Sequence, residues 1–194
     1  MDDRQHQSSS FLNLKDHQKR TLLEIARKTL KQFLTDKEIS LEKNSDPDLN
    51  RKHGVFVTLL EHAKLRGCVG HLKGDQPIYE TTALMAIQAA VNDNRFKPVT
   101  LDELPDIELE ISILSPFKQI SDEKQIQLGH DGVLLVKGDV RGVFLPQVPI
   151  KMNWDRIQLL RQLCKKVGLP LDGWKENTHI YTFQTEVFYE SDFK

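Results

Sequence analysis

The chain has 194 residues, 39% of them hydrophobic and 28% charged, with a formal net charge of -1. That balance is typical of a globular domain and excludes a global field that would recruit nucleic acid or an anionic membrane surface, so partners must be argued locally. The apolar runs fall far short of the ~20 residues a membrane span needs, and the N-terminus MDDRQHQSSS has no apolar signal core, which makes the cytoplasm the expected compartment.

Residues 1–12 are polar and Ser-rich without periodicity and are expected to form a disordered leader, with residues 13–194 as a single domain. From Asp16, apolar residues at Leu22, Leu23, Ala26, Leu30 and Phe33 follow helical spacing to about Leu34. Residues 35–53 are polar, with isolated Ile39, Leu41 and Leu49, and predict a long surface connection pinned at a few apolar points. Val55–Leu60 is β-branched and apolar, and after the short polar link Glu61–Lys64 the stretch Leu65-Arg66-Gly67-Cys68-Val69-Gly70 starts the return strand of a hairpin.

A turn at Gly74–Pro77 precedes an Ala-rich helix from Ile78 to Asn92, whose small residues allow close approach to a sheet. Ile107, Leu109, Ile111 and Ile113 alternate with Glu108, Glu110 and Ser112 in a half-buried strand whose polar face points to water or a partner. Turn signals at His130-Asp131-Gly132 and Lys137-Gly138-Asp139 frame a meander or hairpin, and Leu145–Pro149 breaks the pattern as a rigid loop. Asn153 is placed to cap a helix carrying Trp154, Ile157, Leu160, Leu163, Cys164 and Val167, and one last strand covers Tyr181–Val187. Hairpins mixed with separate helices, without βαβ alternation, predict an α+β fold with a mainly antiparallel sheet flanked by helices.

The chemistry concentrates at residues 65–70. Cys68 next to Arg66 on a glycine-flanked backbone has the makings of an activated nucleophile, because the thiolate is the reactive form and a nearby cation favours it. His62, His71 and His130 are candidate bases, and amides near Gly67 or Gly70 are candidate oxyanion donors. The alternative is a buried cysteine in a tight strand. Arg95, just past a helix end, and Gln147, between Pro146 and Pro149, are candidate substrate contacts; the alternatives are an ion pair with Asp93 and a plain surface connection. Cys68-x-x-His71 has no second cysteine pair and Gly67, Gly70 and Gly74 match no nucleotide pattern, so no metal site is assigned and no cofactor is named. Cys164, in a helical pattern, is expected to be a buried small hydrophobe.

Together GVFVTL at 54–59, LRGCVG at 65–70, Asp93-Asn94-Arg95-Phe96 closing the Ala-rich helix, ELEISILSP at 108–116, Asp131-Gly132, LPQV at 145–148, Trp154 and Cys164–Leu169 with Trp174 give the chain its pattern. It resembles the AMMECR-type domain family from about Gly54 to Phe188. The resemblance implies an α+β domain with a larger lobe holding both termini and a smaller lobe, and the hexapeptide at the sheet near their junction. It also implies an association with a Memo-like protein and a radical SAM enzyme, and a suspected activity that falls here on Arg66 and Cys68 acting on a small anionic substrate. A non-catalytic ligand-binding or adaptor module is the other reading. Two departures stand out: Lys151 where the family often has an acidic residue, and Ala63 where a glycine commonly precedes the hexapeptide.

Overall fold

The computed structural model describes residues 13–193, and the leader expected at 1–12 lies outside them. In chain order the first elements are α1 (Asp16–Asp36), β1 (Val55–Glu61), β2 (Lys64–His71), α2 (Ile78–Val91) and β3 (Ile107–Leu114). There follow β4 (Lys118–Ile120), β5 (Gly132–Lys137), β6 (Val140–Phe144), α3 (Gln147–Lys151), α4 (Arg156–Lys166), β7 (His179–Phe183) and β8 (Thr185–Tyr189). The chain divides into two units: one of residues up to Ile113 together with Glu186 onward, the other of Leu114–Thr185. Each has its own sheet and core, and the class is α+β with antiparallel pairing.

In the first unit the sheet order is β2-β1-β3-β8. Alternation along β1 and β3 turns Val55, Val57, Leu59, Leu109, Ile111 and Ile113 to one face, all fully buried with α1 and α2 side chains such as Leu22, Leu30 and Ala86. Each such residue contributes about 1.5–3 kcal/mol on burial. The approach of α2 is close because both surfaces are trimmed: a Cβ on Gly67 would stand 2.2 Å from the Ala89 carbonyl oxygen. The connection 37–53 is pinned as expected at Leu49, which is 1% exposed, whereas Ile39 is exposed and pins nothing.

The polar face expected on β3 is not open to water, since Glu110 and Ser112 are both buried. Their rows continue across the sheet, with Thr58 opposite Glu110 and Phe56 opposite Ser112.

The second unit orders its strands β4-β7-β5-β6 and packs α4 over a core of Val133, Leu135, Leu160, Leu163 and Cys164. Gly138 and Asp139 form the tight turn between β5 and β6, with Gly138 at φ +58°. The helix begins two residues later than the sequence suggests. Asp155, not Asn153, is its N-cap, accepting the Gln158 N–H while Gln158 reaches back to the Asp155 N–H. The stretch expected as a rigid loop at 145–149 instead opens the short helix α3, because proline is well suited to the first turn of a helix, where its missing N–H has no partner to lose. The single last strand is also two strands: β7 joins the second sheet and β8 the first, with the break at Gln184, whose N–H is taken by Ser115 Oγ at 2.8 Å.

Candidate functional site

The strand β2 is the free edge of the first sheet, and Cys68 on it is half-buried. Cys68 pairs with Thr58 on β1, and Thr58 with Glu110 on β3. Their side chains meet: Thr58 Oγ1 lies 3.4 Å from Cys68 Sγ and 3.1 Å from Glu110 Oε1. Tyr189 of β8 stands near enough to Glu110 for that carboxylate to help raise the phenol. One polar row thus crosses all four strands, Cys68, Thr58, Glu110, Tyr189.

The backbone of Cys68 faces the free edge, where side chains replace a missing strand. Asp93 Oδ2 accepts the Cys68 N–H at 2.8 Å, and Arg95 Nη2 donates to the Cys68 carbonyl at 3.4 Å. Asp93 and Arg95 hold each other through two bonds of 2.9 and 2.6 Å. The Asp93 side chain is 5% exposed while that of Arg95 is 53% exposed, so the carboxylate is sequestered and the cation faces out. Hydrogen bonding from Arg95, against the opposing effect of burial, lowers the Asp93 carboxyl to about 2.

Arg66 does not reach the thiol. Leu59 pairs with Gly67 and Leu60 with Leu65, so Arg66 is the extra residue of a β-bulge, a feature that re-aims a side chain. Its guanidinium donates to Glu103 Oε1 at 2.8 Å and to the Lys97 carbonyl at 2.9 Å, which braces the segment that follows α2. Nor is the Cys68 thiol lowered: burial pushes it up, and this outweighs the help of the Thr58 hydroxyl and the Arg95 charge.

The glycines have packing reasons. Gly67 admits α2, and Gly70 admits the Phe56 ring, which a Cβ would meet at 2.2 Å. Of the candidate histidines, His62 is exposed in the hairpin turn, His71 pairs with Asp75 at 2.8 Å, and His130 belongs to the second unit, paired with Asp131. Gln147 is also in the second unit, where it opens α3. Among the described residues no group of three or more His, Cys, Asp or Glu is placed to hold a metal ion, and no helix is long and apolar enough to cross a membrane. Two surface hollows of the first unit, of 660 Å³ beside Leu41, Tyr79 and Glu80 and of 470 Å³ beside Arg20, Leu104 and Phe193, have none of the row residues in their walls.

Sequence reasoning missed Thr58, Glu110 and Tyr189. The available signal was the alternation of β3, which puts Glu110 and Ser112 on one face, but their partners depend on strand order. Ser112 adds an observation of its own: it is fully buried on the face that carries Glu110, and its Oγ has no hydrogen-bond partner. An orphaned buried hydroxyl costs free energy unless something meets it.

The comparisons with known proteins agree over nearly the whole chain. Protein PH0010 of Pyrococcus horikoshii is 39% identical over 189 residues, covering 91% of this chain and 92% of that one. A protein of Methanothermobacter thermautotrophicus is 36% identical over 179 residues, covering 88% and 93%. The crystal structure of uncharacterized protein PH0010 superposes with a TM-score of 0.85 at 38% identity, covering 93% of this chain and 94% of that one. The AMMECR1 family model matches residues 23–188, taking in residues of both units, the hexapeptide, Thr58 and Glu110, and ending one residue before Tyr189. The chain belongs to the AMMECR1 family.

Proposed function

We propose that this protein is an enzyme, or the thiol-bearing component of one, in which Cys68 attacks an electrophilic carbon of a small anionic substrate. The observation that carries the reading is the half-exposed Arg95 guanidinium, fixed by Asp93 on the same backbone that carries a half-buried thiol. In this reading Arg95 meets the anionic group, and Arg66 acts at one remove by bracing the segment that holds Arg95. Gly67 and Gly70 keep β2 in place under α2 and Phe56.

The test compares a neutral with an anionic thiol reagent, iodoacetamide with iodoacetate, and maps the alkylated peptide to separate Cys68 from Cys164. Arg95→Gln is expected to slow iodoacetate about fivefold relative to iodoacetamide, the size of a screened charge interaction of ~1 kcal/mol. Equal slowing of both reagents, or a Cys68 that reacts with neither, would remove the reading.

A second reading is favoured by one observation, the upward push on the Cys68 thiol, which keeps it neutral at ordinary pH. There the same face binds a ligand or partner without covalent chemistry. A Memo-like protein and a radical SAM enzyme are the proposed partners, on the family resemblance alone, and the cytoplasm is the proposed compartment. Calorimetric titration of this chain with a purified Memo-like protein separates the two readings. Binding undiminished in Cys68→Ala, together with an inert thiol, favours the adaptor.

A further inference from the structure

In the first unit neither His62 nor His71 is hydrogen-bonded to Cys68, and the polar row offers another base. We infer that Glu110 accepts the Cys68 proton through the Thr58 hydroxyl, with Tyr189 beside the carboxylate. The inference rests on the thiol reading and adds to it the positioning residue that makes a neutral thiol usable.

A hydroxyl has a single hydrogen and two lone pairs. Thr58 has two neighbours, Cys68 Sγ at 3.4 Å and Glu110 Oε1 at 3.1 Å, and cannot donate to both at once. An ionised carboxylate only accepts, and it is the stronger acceptor of the two. While the thiol is protonated, the Thr58 hydrogen therefore goes to Glu110 and the S–H points at the Thr58 oxygen. When an electrophilic carbon approaches sulfur, the S–H bond breaks as the S–C bond forms, and the bond from that carbon to its leaving group breaks with its electron pair departing on the leaving group, which is iodide in the alkylation below. The thiol proton passes to Thr58, and the Thr58 proton passes to Glu110. At the end Thr58 donates to sulfur's side of the row and the new Glu110 O–H donates to Thr58. One S–H is lost, one carboxylic O–H is gained, and Thr58 ends with the hydrogen count it began with.

The surroundings suit this path. Glu110 is 8% exposed and Thr58 7%, so solvent cannot easily replace either as the proton's route. Tyr189 remains a phenol, pushed up to about 12 by burial and by the Glu110 charge, so it is not a competing acceptor. The other charged groups facing the row are Asp93 and Arg95 on the Cys68 side and Glu108 and Asp192 around Tyr189. Arg95 opposes the two acids nearest the sulfur and steadies negative charge that develops there.

The experiment follows iodoacetamide alkylation of Cys68 in the full chain by peptide mapping, across pH 6 to pH 9, for wild type, Thr58→Val, Thr58→Ser and Glu110→Gln. If the relay operates, the wild-type rate is flat across the lower half of that range and falls in D₂O. Thr58→Val and Glu110→Gln should lose about 10²-fold at neutral pH, the lower end for a positioned base. Their rates should then rise tenfold per pH unit, as for a free thiolate, and Thr58→Ser should restore the flat profile. A wild-type rate that itself rises tenfold per pH unit and is indifferent to D₂O overturns the relay and needs no variant to be folded. In that outcome Cys68 still reacts, and the thiol reading stands without Glu110. A Cys68 that no reagent reaches at any pH overturns both.

Discussion

Asp93 joins two tasks in one carboxylate: it takes the Cys68 N–H that an edge strand leaves open, and it fixes the Arg95 guanidinium. Its acid lies at about 2 in the folded chain against an ordinary 3.8, so the folded state binds the proton less readily than the unfolded one. The contribution to stability is therefore complete above about pH 4 and is lost as pH falls through 2. A shift of this size corresponds to about 2 kcal/mol. Asp93→Asn is expected to lower stability at neutral pH by that order and to flatten the acid limb, as read from denaturant midpoints between neutral and acid pH. An acid limb as steep as wild type would show that Asp93 is not its source. The pairing of Asp93 with Arg95 was legible in the sequence because the two are neighbours past one helix end. Its grip on Cys68 was not, since nothing local says which strand edge follows that helix.

The hairpin that delivers the hexapeptide turns on His62 and Ala63, at φ +49° and +61°, with Glu61 paired to Lys64. A two-residue hairpin loop with both central residues at positive φ matches the right-handed twist of its strands, and it is the conformation for which glycine is preferred. Ala63 occupies a left-handed backbone position that glycine would adopt without strain. Ala63→Gly relieves ~1–2 kcal/mol of left-handed strain and gives back ~0.4–1 kcal/mol through a more flexible unfolded chain. The net expectation is a gain of about 0.5 kcal/mol, measured as a higher denaturation midpoint with Cys68 reactivity unchanged; a loss of stability would mean that the Ala63 methyl packs usefully. The hairpin was readable from its two apolar runs, but the bulge at Arg66 was not. It depends on register, which only the pairing partner fixes, and it is what sends the arginine to Glu103 and not along the thiol row. The helix α4 was misplaced by two residues for a local reason: Asn153 and Asp155 are both good caps, and Asp155 alone has a glutamine three residues on to complete the reciprocal pair.

At the scale of the molecule, the first unit is assembled from two stretches of chain that the second unit separates. Its closing segment is tied back by Arg27, whose guanidinium donates to the Leu104 carbonyl at 2.9 Å, to the Ile107 carbonyl at 2.6 Å and to the Glu190 carboxylate. Glu190 in turn accepts the Leu109 N–H at 3.0 Å, and the neighbouring Phe188 is 2% exposed in the core. Removing one partner of a buried ion pair costs about 3–5 kcal/mol, and with the Arg27 side chain 29% exposed the lower end applies. Arg27→Ala is expected to lower the stability of the first unit by about 3 kcal/mol, seen as an earlier unfolding of Trp-free α1 by hydrogen exchange, while β5 and α4 keep their protection. Equal loss of protection in both units would show that they unfold as one.

The sequence by itself determined the class of the fold, the amphipathic α1, the hairpin, the alternating β3 and the family, because hydrophobic periodicity and turn chemistry are local and survive in any arrangement that buries the same faces. It also marked Cys68 as the residue to ask about. Tertiary structure alone decided what surrounds that thiol. Thr58 and Glu110 are 52 residues apart along the chain and meet only because β1 lies between β2 and β3. Tyr189 joins them because the last expected strand divides at Gln184 and gives its second half to the first sheet. Strand order and register are set by the burial of whole faces, a property of the assembled sheet, and the polar row inherits its geometry from that choice.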